Sequence, residues 1–454
     1  MYLPALLRLL PIVTLGVLPV PYQDELEPPT GNADTTASSP LRLGNLTPYK
    51  QAPPVEGVAA YLPDDCAVDQ VMLLHRHGSR GPGHELSLIQ GLAQKIGNAS
   101  EVIANLTLPE NLQFLKQGYV TTLQAAKLTS VGRRQLFEHG VDFLFRYPHL
   151  HAETFVAGNE DRVIESSHWF GEGYLGLNAS KATFITLPDT GNNWIRPTNG
   201  CPAWNDNYKH ATEQGDIWGK KYIPSITQRL SVLLPGVNLS DDDTLGALYA
   251  CAYDLAAYNS SPWCNVFLPT EFTSFDYESD LVMDGAFGYT LKPSTFGPML
   301  GSLYVNKLIE RFQNNTGDAK PMYLEFGHDS TITFAMAAIG LAEDKPPLSP
   351  DAMNPSRKWR TSDQVPFAAN MVWERFTCKK SFNGPQIRMV LNEQTFPLDT
   401  CAKTAEDKAY GTCSLANFVA ANKFSTNIKY GDKFWKDTCH ITGARDVLVK
   451  QSPF

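Results

Sequence analysis

The stretch Val68-Asp69-Gln70-Val71-Met72-Leu73-Leu74, running into His75-Arg76-His77-Gly78-Ser79-Arg80-Gly81-Pro82, decides how the chain is read. An apolar run of strand length breaks at a glycine-containing turn, and a helix is expected to follow it. The same grammar returns twice. Thr154 to Ala157 leads into Gly158-Asn159-Glu160-Asp161-Arg162 and an amphipathic segment from Val163. Met322 to Phe326 leads into Gly327-His328-Asp329 and a helical run from Ser330 to Leu341. Strand, glycine turn and helix form the α/β unit, and open α/β sheets bind ligands at the carboxyl ends of their strands. The notable polar residues of all three units fall at those ends.

Outward from these units, residues 165–300 mix helical and aromatic stretches and are expected to form a mainly helical inserted lobe. Residues 55–164 and 301–454 are then expected to build the α/β domain. Gln23 to Pro54 is rich in Pro, Thr, Ser, Asp and Gly, so a flexible leader without a core is expected over 21–54. Residues 1–20 carry an apolar run from Leu9 to Val20 with Arg8 before it, which suits a cleaved secretory signal better than a membrane span. The whole has 454 residues, 43% of them hydrophobic and 19% charged, which excludes wholesale disorder, collagen and coiled coil. Net charge is −9, from 38 basic and 47 acidic residues, with no long basic run. Nucleic acid and anionic membrane surfaces are therefore not expected partners.

Eight cysteines without a C-x-x-C pair suit disulfides better than zinc or redox chemistry. Sequons stand at Asn45, Asn98, Asn105, Asn178, Asn238, Asn259 and Asn314. Together with the N-terminal run they describe a secreted, disulfide-bonded glycoprotein, whose oligomeric state the sequence leaves open.

The chemistry concentrates in Arg76-His77-Gly78-Ser79-Arg80-Gly81-Pro82. Two arginines flanking a histidine make a cationic cup of phosphate size, because guanidinium forks match phosphoryl oxygens and stay charged. A neutral imidazole inside it is a competent nucleophile toward phosphorus. A surface loop of salt-bridged arginines is the plainer reading, but five fixed positions arise by chance only on the order of once in ten thousand chains. Metal ligation by His75, His77, His84 and Glu85 is the rival chemistry, and an arginine-lined cup repels a cation. No G-x-S-x-G elbow and no phosphate-binding G-x-x-x-x-G-K-[ST] loop occurs. Taken singly, Asp329 reads as a helix cap, His328 as a packed histidine, and Arg162 as a partner of its own acidic turn.

R-H-G-x-R-x-P early and His328-Asp329 late make the chain resemble the histidine acid phosphatases, in the branch of fungal secreted acid phosphatases and phytases. The resemblance extends to Leu128-Thr129 with Gly132, Ser261-Pro262-Trp263-Cys264 and Val365-Pro366-Phe367-Ala368. It implies a phosphoglycerate-mutase-like three-layer α/β domain with a second helical lobe, and metal-independent hydrolysis of small phosphate monoesters without a cofactor. It also implies roles: His77 as the nucleophile that becomes phosphohistidine, Asp329 as proton donor, and Arg76, Arg80, Arg162 and His328 as the phosphoryl clamp. The cysteines would pair Cys66–Cys378, Cys201–Cys439, Cys251–Cys264 and Cys401–Cys413. Phytate-selective members carry lysines soon after the motif. Here Gly83-His84-Glu85-Leu86 brings an acid, and Lys95 is the first lysine, so phytate use stays open. An inactive phosphate-binding glycoprotein of the same fold is the competing class. A phosphate-moving mutase is opposed by the secretory features.

Overall fold

The computed structural model describes residues 41–189, 193–290 and 296–441. The expected signal at 1–20, and the leader as far as residue 40, lie outside them. One mixed sheet organises the fold. Its strands are β1 (Cys66–Arg76), β2 (Thr154–Gly158), β3 (Thr183–Leu187), β4 (Met322–Gly327), β5 (Asn370–Cys378), β6 (Gln386–Leu391), β7 (Gln394–Phe396) and β8 (Thr412–Ser414). Their order is β3-β2-β4-β1-β5-β6-β7, with β8 also on β6. The first four strands in that order run parallel, and β5 to β8 are antiparallel additions.

Val71 to Leu74 of β1 are all within 1% of full burial, as expected of a strand covered on both faces. Helices Phe296–Gln313 and Asp329–Ile339 cover one face, and Ser130–Arg146 and Asp161–Leu175 the other, giving three layers. The helix Asp329–Ile339 is apolar nearly all round, burying Ile332, Phe334, Ala335, Met336 and Ile339, so it can only sit inside. Gly340 ends it with φ +82°, the left-handed stop that glycine adopts without strain.

A further apolar core joins helices Leu86–Asn98, Trp204–Leu233 and Asp241–Tyr258. The expected lobe boundaries need correcting at three places. Strand β3 falls inside 165–300 yet pairs with β2 at the sheet edge. Helix Phe296–Gln313 belongs with the sheet. Helix Leu86–Asn98, expected in the α/β domain, turns Ile89, Leu92 and Ile96 into the helical core, because an amphipathic face must find a partner.

The leader is the larger correction. Its described part, 41–54, is not a core-less linker, because Leu43 and Leu46 are buried in the helical core. Thr47 accepts the Leu43 N–H, and its backbone carbonyl accepts from Phe367.

All four disulfides are present with the pairing the resemblance implies. Cys66–Cys378 links directly opposed residues of β1 and β5. Among the described residues, no helix is long and apolar enough to cross a membrane.

Candidate active site

Strand register assembles the site. Arg76 ends β1 opposite Gly327 of β4, and the His77 N–H donates to the Gly327 carbonyl at 3.0 Å. Residues 77 and 328 are thereby neighbours, with ring centroids 5.5 Å apart. Strand β2 lies on the other side of β4, so the turn at Glu160-Asp161-Arg162 opens at the same edge. The loop after His77 is pressed onto helix Ser130–Arg146. A Cβ on Gly78 would stand 2.5 Å from the Gly132 carbonyl oxygen, so only glycine permits the approach.

His77 is buried, and its Nδ1 lies 2.9 Å from the Gly78 carbonyl. A carbonyl only accepts, so the hydrogen sits on Nδ1 and the lone pair on Nε2. Burial, then the charges of Arg162 and Arg76, push its proton affinity well below that of a free histidine. Burial and the arginines thus favour the neutral ring, with its lone pair on Nε2.

Arg76 is fully buried and held by three acceptors. Its Nη1 donates to the carbonyls of Asn45 and Val365, both at 2.6 Å, and its Nη2 lies 2.8 Å from Asp329 Oδ2. Burial lowers its pKa to about 10, which leaves it charged throughout the acid range. Arg80 reaches the Tyr253 hydroxyl from Nη1 at 3.3 Å. Around His77, five buried nitrogens make no hydrogen bond to a described residue: Arg76 Nε, Arg76 Nη2 (which is only ion-paired with Asp329), Arg80 Nε, Arg162 Nε and His328 Nε2. Orphaned donors are costly unless a ligand satisfies them, and their clustering around His77 outlines an anion site.

Asp329 occupies the first turn of its helix, not the cap, which is His328. Its Oδ1 accepts the Ser330 N–H at 2.8 Å, and Oδ2 accepts from Asn45 Nδ2 at 3.1 Å. Burial opposes ionisation, but Arg76 and the Asn45 amide outweigh it and hold the carboxyl below its usual range. Burial and the nearby Arg162 keep His328 neutral, so it offers one hydrogen and no charge.

Sequence reasoning missed three parts of this site. Glu160 ion-pairs with Arg162 and with Arg196 (2.7 Å), and its carboxylate lies 3.7 Å from His328 Nε2. The acidic turn therefore does bind Arg162, as the plainer reading had it, while leaving Nε unpartnered. Arg196, which also meets Asp189 at 3.6 Å, carries no local motif.

Asn45 is the third. Its sequon marks it as a glycan acceptor, yet its side chain is spent on Asp329 and Ser279. Asn98, Asn105, Asn178, Asn238 and Asn259 are exposed, whereas Asn314 is partly buried. Glycopeptide mapping of active enzyme will find Asn45 unmodified; a glycan there in fully active protein would contradict this geometry.

The histidines of the rival ligand reading are not gathered. His75 points away, with Nδ1 on the Arg76 carbonyl (2.6 Å) and Nε2 on His139 (2.9 Å), and His84 is largely exposed.

Fold and constellation together suit the binding of a phosphoryl group beside His77. The profile of the histidine phosphatase superfamily (branch 2) matches residues 67–392, and the chain belongs to that family. A thiamine-repressible acid phosphatase of Schizosaccharomyces pombe is 32% identical over 418 residues, covering 85% of this chain and 89% of its own. Phytase A of Arthroderma benhamiae is 30% identical over 424 residues, covering 83% and 88%. Among solved structures, the phytase of D. castellii superposes with a TM-score of 0.75 at 24% identity over 88% of each chain.

Proposed function

We propose that this protein is a secreted acid phosphatase that hydrolyses phosphate monoesters through a phosphohistidine. The carrying observation is the ring of unpartnered buried donors around a neutral His77 whose tautomer leaves Nε2 free. The phosphoryl group would lie on Arg76, Arg80, Arg162 and His328, which neutralise its equatorial oxygens. Nε2 of His77 forms the bond to phosphorus as the ester oxygen departs and takes a proton from Asp329. Water then attacks the phosphohistidine, Asp329 accepts its proton, and phosphate leaves with His77 restored.

Asp329 is ionised while Arg76 and Asn45 hold it alone, so its proton must arrive with the substrate. A phosphate monoester loses its second proton near pH ~6, which makes the monoanion the carrier below that pH. Acid phosphatases and phytases among the relatives support this reading. Secretion is supported by the four disulfides.

The test is p-nitrophenyl phosphate turnover at acid pH before and after exhaustive EDTA dialysis. Equal rates are expected. Phosphate binding without turnover would identify an inactive relative, and loss reversed by zinc or magnesium would revive the histidine-ligand reading.

A further inference from the structure

The side of the cup facing Arg80 is acidic and aromatic. Glu85 is 7% exposed and accepts the Gly83 N–H at 2.7 Å; it lies near Tyr253, adding to burial in raising the pKa of that phenol, and the Tyr253 hydroxyl accepts from Arg80. Tyr249 stands beside Tyr253 with ring centroids 6.4 Å apart. The Tyr208 phenol, on the rim, lies within electrostatic reach of Asp329, Glu85 and Arg80. One carboxylate and three tyrosines thus gather on the Arg80 side of the cup.

The charges around the cup leave no surplus for a second phosphate. Arg76, Arg80, Arg162 and Arg196 are set against Asp329, Glu85, Glu160 and Asp189, four against four, and His77 and His328 are neutral. A single phosphoryl group finds the orphaned nitrogens of Arg76, Arg80, Arg162 and His328. Further phosphates on the same molecule would meet Glu85 or Glu160, where like charges in a poorly solvated cleft repel strongly. A positively charged alcohol would instead find a carboxylate and aromatic faces, the surroundings that bind ammonium and ring cations.

We infer that Glu85, Tyr208, Tyr249 and Tyr253 form the leaving-group pocket, and that it selects singly phosphorylated esters of cationic alcohols over polyphosphorylated ones. This rests on the phosphatase reading above. A plainer role for Glu85, closing its own turn through the Gly83 N–H, predicts no substrate preference.

The experiment compares kcat/KM for phosphocholine, glycerol phosphate and inositol hexakisphosphate at one pH and ionic strength. The native enzyme should favour phosphocholine over glycerol phosphate by about tenfold, and inositol hexakisphosphate should rank last. Glu85→Gln keeps the acceptor for Gly83 and removes the charge. It should erase the phosphocholine preference and raise inositol hexakisphosphate relative to glycerol phosphate by a similar factor. Tyr208→Ala, at a half-exposed position that tolerates truncation, should weaken the phosphocholine preference alone, which keeps the test decisive if Glu85→Gln misfolds. Unchanged ratios in folded variants, or a native enzyme that prefers the hexakisphosphate, would overturn the inference and leave the phosphatase reading standing. Failure of the folded native enzyme on every ester would instead sink the phosphatase reading.

Discussion

Replacing His77 with alanine should lower kcat by at least about 10⁴-fold while phosphate still binds, because the arginine cup survives without its nucleophile. Rapid mixing of native enzyme with substrate, then denaturation in alkali, should leave phosphate on His77. The structure sharpens this expectation. The hydrogen of the ring is fixed on Nδ1 by the Gly78 carbonyl, so the phosphorylated atom should be Nε2. His75, two residues earlier, is bonded at both nitrogens and should remain unlabelled. Normal turnover with no residue labelled would mean direct attack by water.

Asp329→Asn carries the second large effect, and it depends on the leaving group. An alkoxide cannot depart without a proton, whereas p-nitrophenolate can. Glycerol phosphate should lose about 10²–10⁴-fold in kcat, while p-nitrophenyl phosphate should stay within about tenfold. The single asparagine oxygen can accept either from Ser330 or from Arg76 and Asn45, not from both sides, so the fold should persist while the arginines still bind phosphate. The native pH profile belongs to the same argument. Arg76 holds the empty carboxyl below its usual range, so the alkaline limb should follow the second ionisation of each substrate and move when that pKa is changed. Equal losses on both esters, in folded protein, would make Asp329 a positioning group.

Much of this site was legible because its main parts lie in contiguous motifs. R-H-G-x-R-x-P, the Arg162 turn and His328-Asp329 each follow a strand, and three parallel strands place those turns along one edge. What stayed hidden acts through space and without local pattern. Asn45 reaches Asp329 across 284 residues. Glu160 looked like a plain partner for Arg162, and nothing in the sequence linked it to Arg196 or His328. Glu85 and Tyr253, likewise, belong to different elements joined only by the helical core. The lobe boundaries failed for a related reason. An amphipathic helix announces that it needs a partner and does not say which core supplies one.

The seating of Asn45 changes what counts as one working polypeptide. The first cysteine is Cys66, so no disulfide fastens residues 41–50 to the body. Between them and β1 lies Gln51 to Gly57, which is mostly exposed and well suited to protease attack. A single cut there would turn the enzyme into two pieces. The small one would carry the backbone acceptor for the buried Arg76 and the amide that steadies Asp329. Catalysis would then depend on how tightly a short peptide clings through Leu43, Leu46 and a few hydrogen bonds, and dilution alone could switch the enzyme off.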